Sequence, residues 1–185
     1  MDLLEKQLTS ELVYEGGFLR VRKDQVALPD GKQAAREYIL HPGAVAILAL
    51  TPQRELVLER QYRYPAGREF IEIPAGKIDP DEAPEETARR ELFEETGYRA
   101  ASWTYLGTAH PCIGYSNEKI SYYLAQDLIL SERRLDEGEF LEVLTKPLDE
   151  AMEMALSGGI CDSKSIVGLH WLAAYLSGRM RGVPI

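Results

Sequence analysis

Cysteine is scarce. Cys112 and Cys161 are the only two in 185 residues, and they belong to no Cys-x-x-Cys or Cys/His metal spacing. That excludes a disulfide framework and points to a reducing compartment, with both thiols expected free and buried. Long apolar runs are missing too. The longest aliphatic run, AVAILAL at Ala44 to Leu50, is far short of the ~20 residues needed to cross a bilayer. The opening MDLLEKQLTSELVYE alternates charge with apolarity and has no uninterrupted apolar core of a signal peptide. A cytoplasmic location with no membrane partner is therefore expected. Positive charge is in deficit, with 21 Lys and Arg against 30 Asp and Glu and a net charge of -9. Generic binding to a nucleic-acid backbone is disfavoured, and an anionic ligand would need a bound cation or well-placed arginines. His41, His110 and His170 have no zinc-site spacing, and neither a Gly-x-Ser-x-Gly elbow nor a Walker phosphate loop occurs.

Apolar content of 45% and charged content of 28% are those of a folded globular chain, and the length suits one domain with a sizeable core. The first third reads as strands. FLRVRKDQVAL (18–28) and REYIL (36–40) flank the turn Pro29-Asp30-Gly31-Lys32 and predict a hairpin. AVAILAL is apolar on both faces and predicts a central strand. ELVLERQYR (55–63) follows a short turn and is expected as its antiparallel neighbour. WTYLGTAH (103–110) and EKISYYLAQDL (118–128) predict two more strands around an irregular loop. Two helices are expected near the end, Pro147 to Leu156 before Gly158-Gly159, and Ser163 to Leu176 before Gly178.

The stretch GKIDPDEAPEETARRELFEETGY, Gly76 to Tyr98, gathers eight carboxylates into 23 residues. Pro84 suits a first helical turn and Gly97 the left-handed position after a last one, so a helix over Pro84 to Thr96 is predicted. On it Glu91, Glu94 and Glu95 stand at i, i+3 and i+4 and share a face. Like charges so spaced repel by roughly 0.2 to 0.5 kcal/mol per exposed pair. Arg90 can pair with Glu94 or Glu86, but one arginine does not neutralise the group. Two readings are open from composition: a solvated acidic face, or a site for a hard divalent cation held through carboxylate oxygens.

The array Gly76-x5-Glu82-x7-Arg90-Glu91-Leu92-x-Glu94-Glu95-x-Gly97-Tyr98 resembles the Nudix hydrolase signature at every defined position. Tyr98 is a mild departure where that pattern usually has an aliphatic residue. The segments HPGAVAILAL, ERQYRYP, EIPAGKI and HPCIGYSNE extend the likeness over most of the chain, toward the ADP-ribose pyrophosphatase-like branch. The resemblance implies an α/β fold, a Nudix-type α/β/α sandwich with a mixed β-sheet plus an N-terminal antiparallel β-extension. It divides the chain into N-terminal β-strands at 1–42, for dimerisation and substrate contacts, and a Nudix hydrolase domain at 43–185.

The same resemblance implies Mg²⁺, with Mn²⁺ as substitute, held by Glu91, Glu95 and the carbonyl of Ala75. Glu94 would be an additional ligand or a neighbour of one, and Arg90 would orient the glutamates. In the acidic segment before Val143, Glu137 is the candidate base and Glu139 a candidate third metal ligand, with the two roles exchangeable. Arg63 is the candidate diphosphate clamp, because a guanidinium donates two parallel bonds to phosphate oxygens. Arg36 and Glu37 are weaker candidates for the nucleoside end. Pro111 and Glu118 lie in a segment resembling the substrate loop of that branch. Phe18 or Tyr14 could stack on a nucleobase, although core packing is the other use open to Phe18. The implied reaction is hydrolysis of ADP-ribose to AMP and ribose 5-phosphate. A GDP-mannose or other nucleotide-sugar pyrophosphatase is the alternative, and a non-catalytic nucleotide sensor a remoter one. A homodimer acting on a small nucleoside diphosphate sugar is expected.

Overall fold

The computed structural model describes residues 2–132, 138 and 140–185. Contacts divide them into two units: the residues up to Pro42 with His110–Lys119, and Gly43–Ala109 with Ile120–Ile185. In the first unit, strands β1 (Lys6–Glu15), β2 (Arg20–Ala27) and β3 (Gln33–Leu40) form an antiparallel sheet in the order β1-β2-β3. The expected hairpin is β2-β3. Its turn is closed by Leu28 N–H donating to the Lys32 carbonyl at 2.8 Å, with Gly31 at φ 84°. The loop His110–Lys119 is tied to β3 by Ile39 N–H to the Tyr115 carbonyl at 2.8 Å, and His41 N–H donates to Asn117 Oδ1 at 2.7 Å.

The second unit contains β4 (Ala44–Ala49), β5 (Glu55–Arg63), β6 (Arg68–Glu72), β7 (Ala75–Lys77), α1 (Pro84–Thr96), β8 (Tyr98–Ala109), β9 (Ile120–Leu130), β10 (Leu141–Pro147), α2 (Leu148–Ser157), α3 (Ser163–Leu176) and β11 (Val183–Pro184). A five-stranded sheet runs β11-β8-β9-β4-β7. It is mixed, because β4 and β9 are parallel and the other pairs antiparallel. β4 is paired along both edges, by β9 and β7, and its two apolar faces require cover from other layers. Ala46, Leu48 and Leu50 join a cluster with Leu148 and Ala151 of α2 and Leu169 and Leu172 of α3. Val45, Ile47 and Ala49 join another with Ala88 and Leu92 of α1. The two-residue period of a strand thus sends alternate side chains to helices on opposite faces, which is the expected α/β/α layering.

The pairing of β5 differs from expectation. Apart from one bridge between Leu50 and Leu56, it leaves β4 and forms a separate antiparallel sheet in the order β10-β5-β6. One edge of β5 is taken by β10, from Leu141 opposite Gln61 to Pro147 opposite Glu55, and the other by β6. Both cysteines also depart from expectation: Cys161 is exposed and Cys112 only half-buried. Each lies in a connecting segment outside the clusters. Arg68 Nη2 donates to Cys161 Sγ at 2.8 Å, and the Tyr115 hydroxyl donates to Cys112 Sγ at 3.1 Å. Among the described residues no helix is long and apolar enough to cross a membrane.

Candidate active site

Helix α1 has the bounds its punctuation predicts. Pro84 occupies the first turn, where its missing N–H leaves no gap, and Gly97 closes the last with φ 78° and its N–H on the Phe93 carbonyl at 2.9 Å. Ala83 offers no capping oxygen, but Glu86 reaches back to its N–H at 3.2 Å. Glu86 is therefore spent on the cap and is not the Arg90 partner that helical spacing allows. Thr87, Ala88, Leu92, Glu95 and Thr96 face inward and fix the rotation of the helix.

Arg90 gathers the acidic side chains. Its Nε and Nη2 donate to Glu82 at 3.0 and 2.9 Å, and its Nη1 donates to Glu91 at 2.9 Å and Glu94 at 3.0 Å. The bonds from Arg90, opposed by partial burial and helped by the Thr87 hydroxyl, hold the Glu82 carboxyl down at about 2. The same carboxylates raise the pKa of Arg90. Glu95 is buried, and its Oε2 accepts the Ala75 N–H at 3.1 Å. Gly76 leaves room for Glu91: a Cβ at position 76 would lie 1.9 Å from the Glu91 carboxyl carbon. The short strand β7 and α1 thus bring Ala75, Gly76, Glu91, Glu94 and Glu95 together.

The donor set is made of hard oxygens. Among the described residues no three or more His, Cys, Asp and Glu side chains converge as a closed ligand group. Mg²⁺ does not require one, since it combines one or two carboxylates with waters and phosphate oxygens. The close approach of Gly76 to Glu91 and the location of Glu95 against the Ala75 backbone fit such an open site.

Arg63, at the end of β5, donates from Nε and Nη2 to the two carboxylate oxygens of Glu72 at 2.7 and 2.8 Å. These bonds and the charges of Glu72, Glu95 and Glu59 raise its pKa, against its partial burial. Glu72 opens the segment EIPAGKI, which by itself assigns it no role, and its second partner, Lys164, lies in no motif and far from the signature in sequence.

In the first unit Arg36 Nε donates to Glu5 at 2.9 Å, and Glu37 pairs with Lys23 at 3.1 Å. Glu118 stands 3.8 Å from His41 Nε2, and Pro111 is half-buried in the same loop. Phe18 is 54% exposed in the turn before β2 and sets its ring edge-on to His41, so core packing is not its use. Glu137 and Glu139 lie outside the described residues.

Comparison with known proteins agrees with this geometry. The NUDIX domain model matches residues 40–162, and the Nucleoside diphosphate sugar hydrolase N-terminal domain model matches residues 5–39. The chain is 39% identical over 172 residues to ADP-ribose pyrophosphatase of Bacillus subtilis (strain 168), covering 92% of this chain and 93% of that one. It is 38% identical over 170 residues to the methanol dehydrogenase activator of Bacillus methanolicus, covering 91% and 92% respectively. A crystal structure of an ADP compounds hydrolase superposes with a TM-score of 0.85 at 24% identity, over 97% of this chain and 98% of that one, and shows the same fold. With its signature helix assembled against β7 and a family match over more than half its length, the chain belongs to the Nudix family.

Proposed function

We propose that the protein hydrolyses the diphosphate bond of ADP-ribose to AMP and ribose 5-phosphate with Mg²⁺. Nudix hydrolases generally use divalent metal ions. The observation that carries the reading is the acidic face of α1, from which Glu91 and Glu95 meet β7, together with a likeness over 92% of the chain to a protein named ADP-ribose pyrophosphatase. Glu91, Glu95 and the Ala75 carbonyl would hold Mg²⁺, for which Mn²⁺ could substitute, and Glu139 would complete the set. When bound, the ion supplies charge neutralisation at the phosphates and a more acidic water. Arg90 keeps Glu91 and Glu94 in place. Arg63 donates to the diphosphate. Glu137 accepts the proton of the attacking water, and must reach it within hydrogen-bond distance.

For Arg36, Glu37, Phe18, Pro111 and Glu118, contact with the nucleoside or sugar is proposed from the sequence likeness alone. A homodimer built through the strands of 1–42, with catalysis in 43–185, is proposed on the same ground. The second reading is a GDP-mannose or other nucleotide-sugar pyrophosphatase, favoured by the N-terminal match, whose description specifies neither base nor sugar. Kinetics with ADP-ribose, GDP-mannose, UDP-glucose and diadenosine polyphosphates at equal Mg²⁺ separates the two. The highest kcat/KM is expected for ADP-ribose; negligible turnover of it beside rapid turnover of another substrate would select the second reading.

A further inference from the structure

Behind Arg63 lies a row of alternating charge that the reaction does not itself require. The Glu72 side chain is 4% exposed, yet it lies between two cations. Burial works against its charge, but the bonds from Arg63 and Lys164 outweigh that and hold its carboxyl below the usual range. Lys164, in the first turn of α3, donates to Glu72 Oε2 and to Asp162 Oδ1, the latter at 3.0 Å. Asp162 is in turn fixed as the N-cap of α3, accepting the Ser165 N–H at 3.1 Å. The Ser165 hydroxyl is buried and accepts the Ile73 N–H at 2.9 Å, one residue beyond Glu72. The start of α3 and the end of β6 are therefore joined at the side-chain and backbone levels.

The geometry points to Glu72 as a positioning residue for Arg63, with Lys164 as the counterion that keeps Glu72 in place. The inference rests on the reading of Arg63 as the diphosphate clamp. Glu72 engages Nε and Nη2, which form one edge of the guanidinium plane. A guanidinium carries five N–H donors, so the end-on edge formed by Nη1 and the second N–H of Nη2 is not used by Glu72. Two parallel donors on that edge match two phosphate oxygens. The Arg63 side chain is 45% exposed while Glu72 is buried, so the cation is anchored from the interior. An arginine with a long flexible stem would otherwise lose rotamer freedom on each binding event. Lys164 shares the hold on the Glu72 carboxylate with Arg63, and its own charge is balanced by Asp162, so the four side chains together are neutral.

The test is a double-mutant cycle on ADP-ribose hydrolysis at saturating Mg²⁺, with Arg63→Ala, Glu72→Gln and the double variant, each checked for native far-UV circular dichroism. Glu72→Gln keeps the side chain's shape and removes its charge. Its kcat/KM is expected to fall about tenfold or more, chiefly through KM, and Glu72→Asp to recover part of it. In the Arg63→Ala background the Glu72 substitution is expected to change kcat/KM less than twofold, because its effect passes through Arg63. Equal losses in both backgrounds would overturn the positioning role. Should Arg63→Ala itself leave kcat/KM unchanged, the clamp reading fails and the inference fails with it; that outcome is distinct from additivity. If Glu72→Gln does not fold, Lys164→Met runs through the same cycle, with a several-fold rise in KM expected only where Arg63 is present. The same rise without Arg63 would also overturn it.

Discussion

Glu82 and Arg90, eight positions apart, are joined by two parallel bonds, Nε to Oε1 at 3.0 Å and Nη2 to Oε2 at 2.9 Å. A carboxylate from the segment before α1 therefore grips the arginine whose remaining nitrogen reaches Glu91 and Glu94. Replacing Arg90 with Ala should free both glutamates. A drop in kcat of about ten- to a hundredfold is expected, with the Mg²⁺ concentration for half-maximal rate raised. Steady-state kinetics across a Mg²⁺ titration measures both; an unchanged Mg²⁺ dependence would remove Arg90 from the ordering of the site.

The Glu82–Arg90 pair also makes a pH-dependent contribution to stability. The folded-state pKa of Glu82 is about 2, below its ordinary 4.5. Its stabilisation is accordingly complete above pH 4.5 and is lost as pH falls toward 2. Thermal unfolding of wild type and Glu82→Gln between pH 2 and 6 should show a gap in melting temperature that closes toward the acid end. A gap independent of pH would show that Glu82 does not titrate through Arg90.

Gly76 tests the close approach of β7 to the helix. Gly76→Ala puts a methyl group where the Glu91 carboxyl stands, 1.9 Å from its carbon. The carboxylate must move, and a loss of about a hundredfold in kcat is expected. The second unit's apolar clusters do not involve this position, so circular dichroism should be near native. Full activity in a folded Gly76→Ala variant would mean that Glu91 is not needed where it stands.

Leu92 is the inward counterpart of the acidic face. It is fully buried among Val45, Ile47, Val57 and Trp103. Leu92→Ala should cost about 2–5 kcal/mol in urea unfolding, through lost burial and the cavity left behind. A cost well below 1 kcal/mol would place the anchoring of α1 elsewhere.

Features set by local chemistry were legible in the sequence. Pro84 and Gly97 bounded α1 because proline and glycine act on the backbone where they stand. AVAILAL announced a strand covered on both faces. Partnership between distant segments was not legible. The short turn after Leu50 suggested that β5 returns along β4, but β10, some 80 residues later, supplies its neighbour. Lys164 meets Glu72 across 92 positions, and nothing in either local pattern joins them. The two cysteines failed for a related reason: residue type favours burial, whereas connecting segments expose what they carry.

The most direct measurement is the hydrolysis of ADP-ribose followed by separation of AMP and ribose 5-phosphate, with and without Mg²⁺, in wild type and Glu95→Gln. Both products are expected only with the metal present. Glu95→Gln, folded as wild type, should lower kcat by about a hundredfold or more. Turnover that persists in excess chelator, or that Glu95→Gln leaves intact, would contradict a reaction built on the carboxylates of α1.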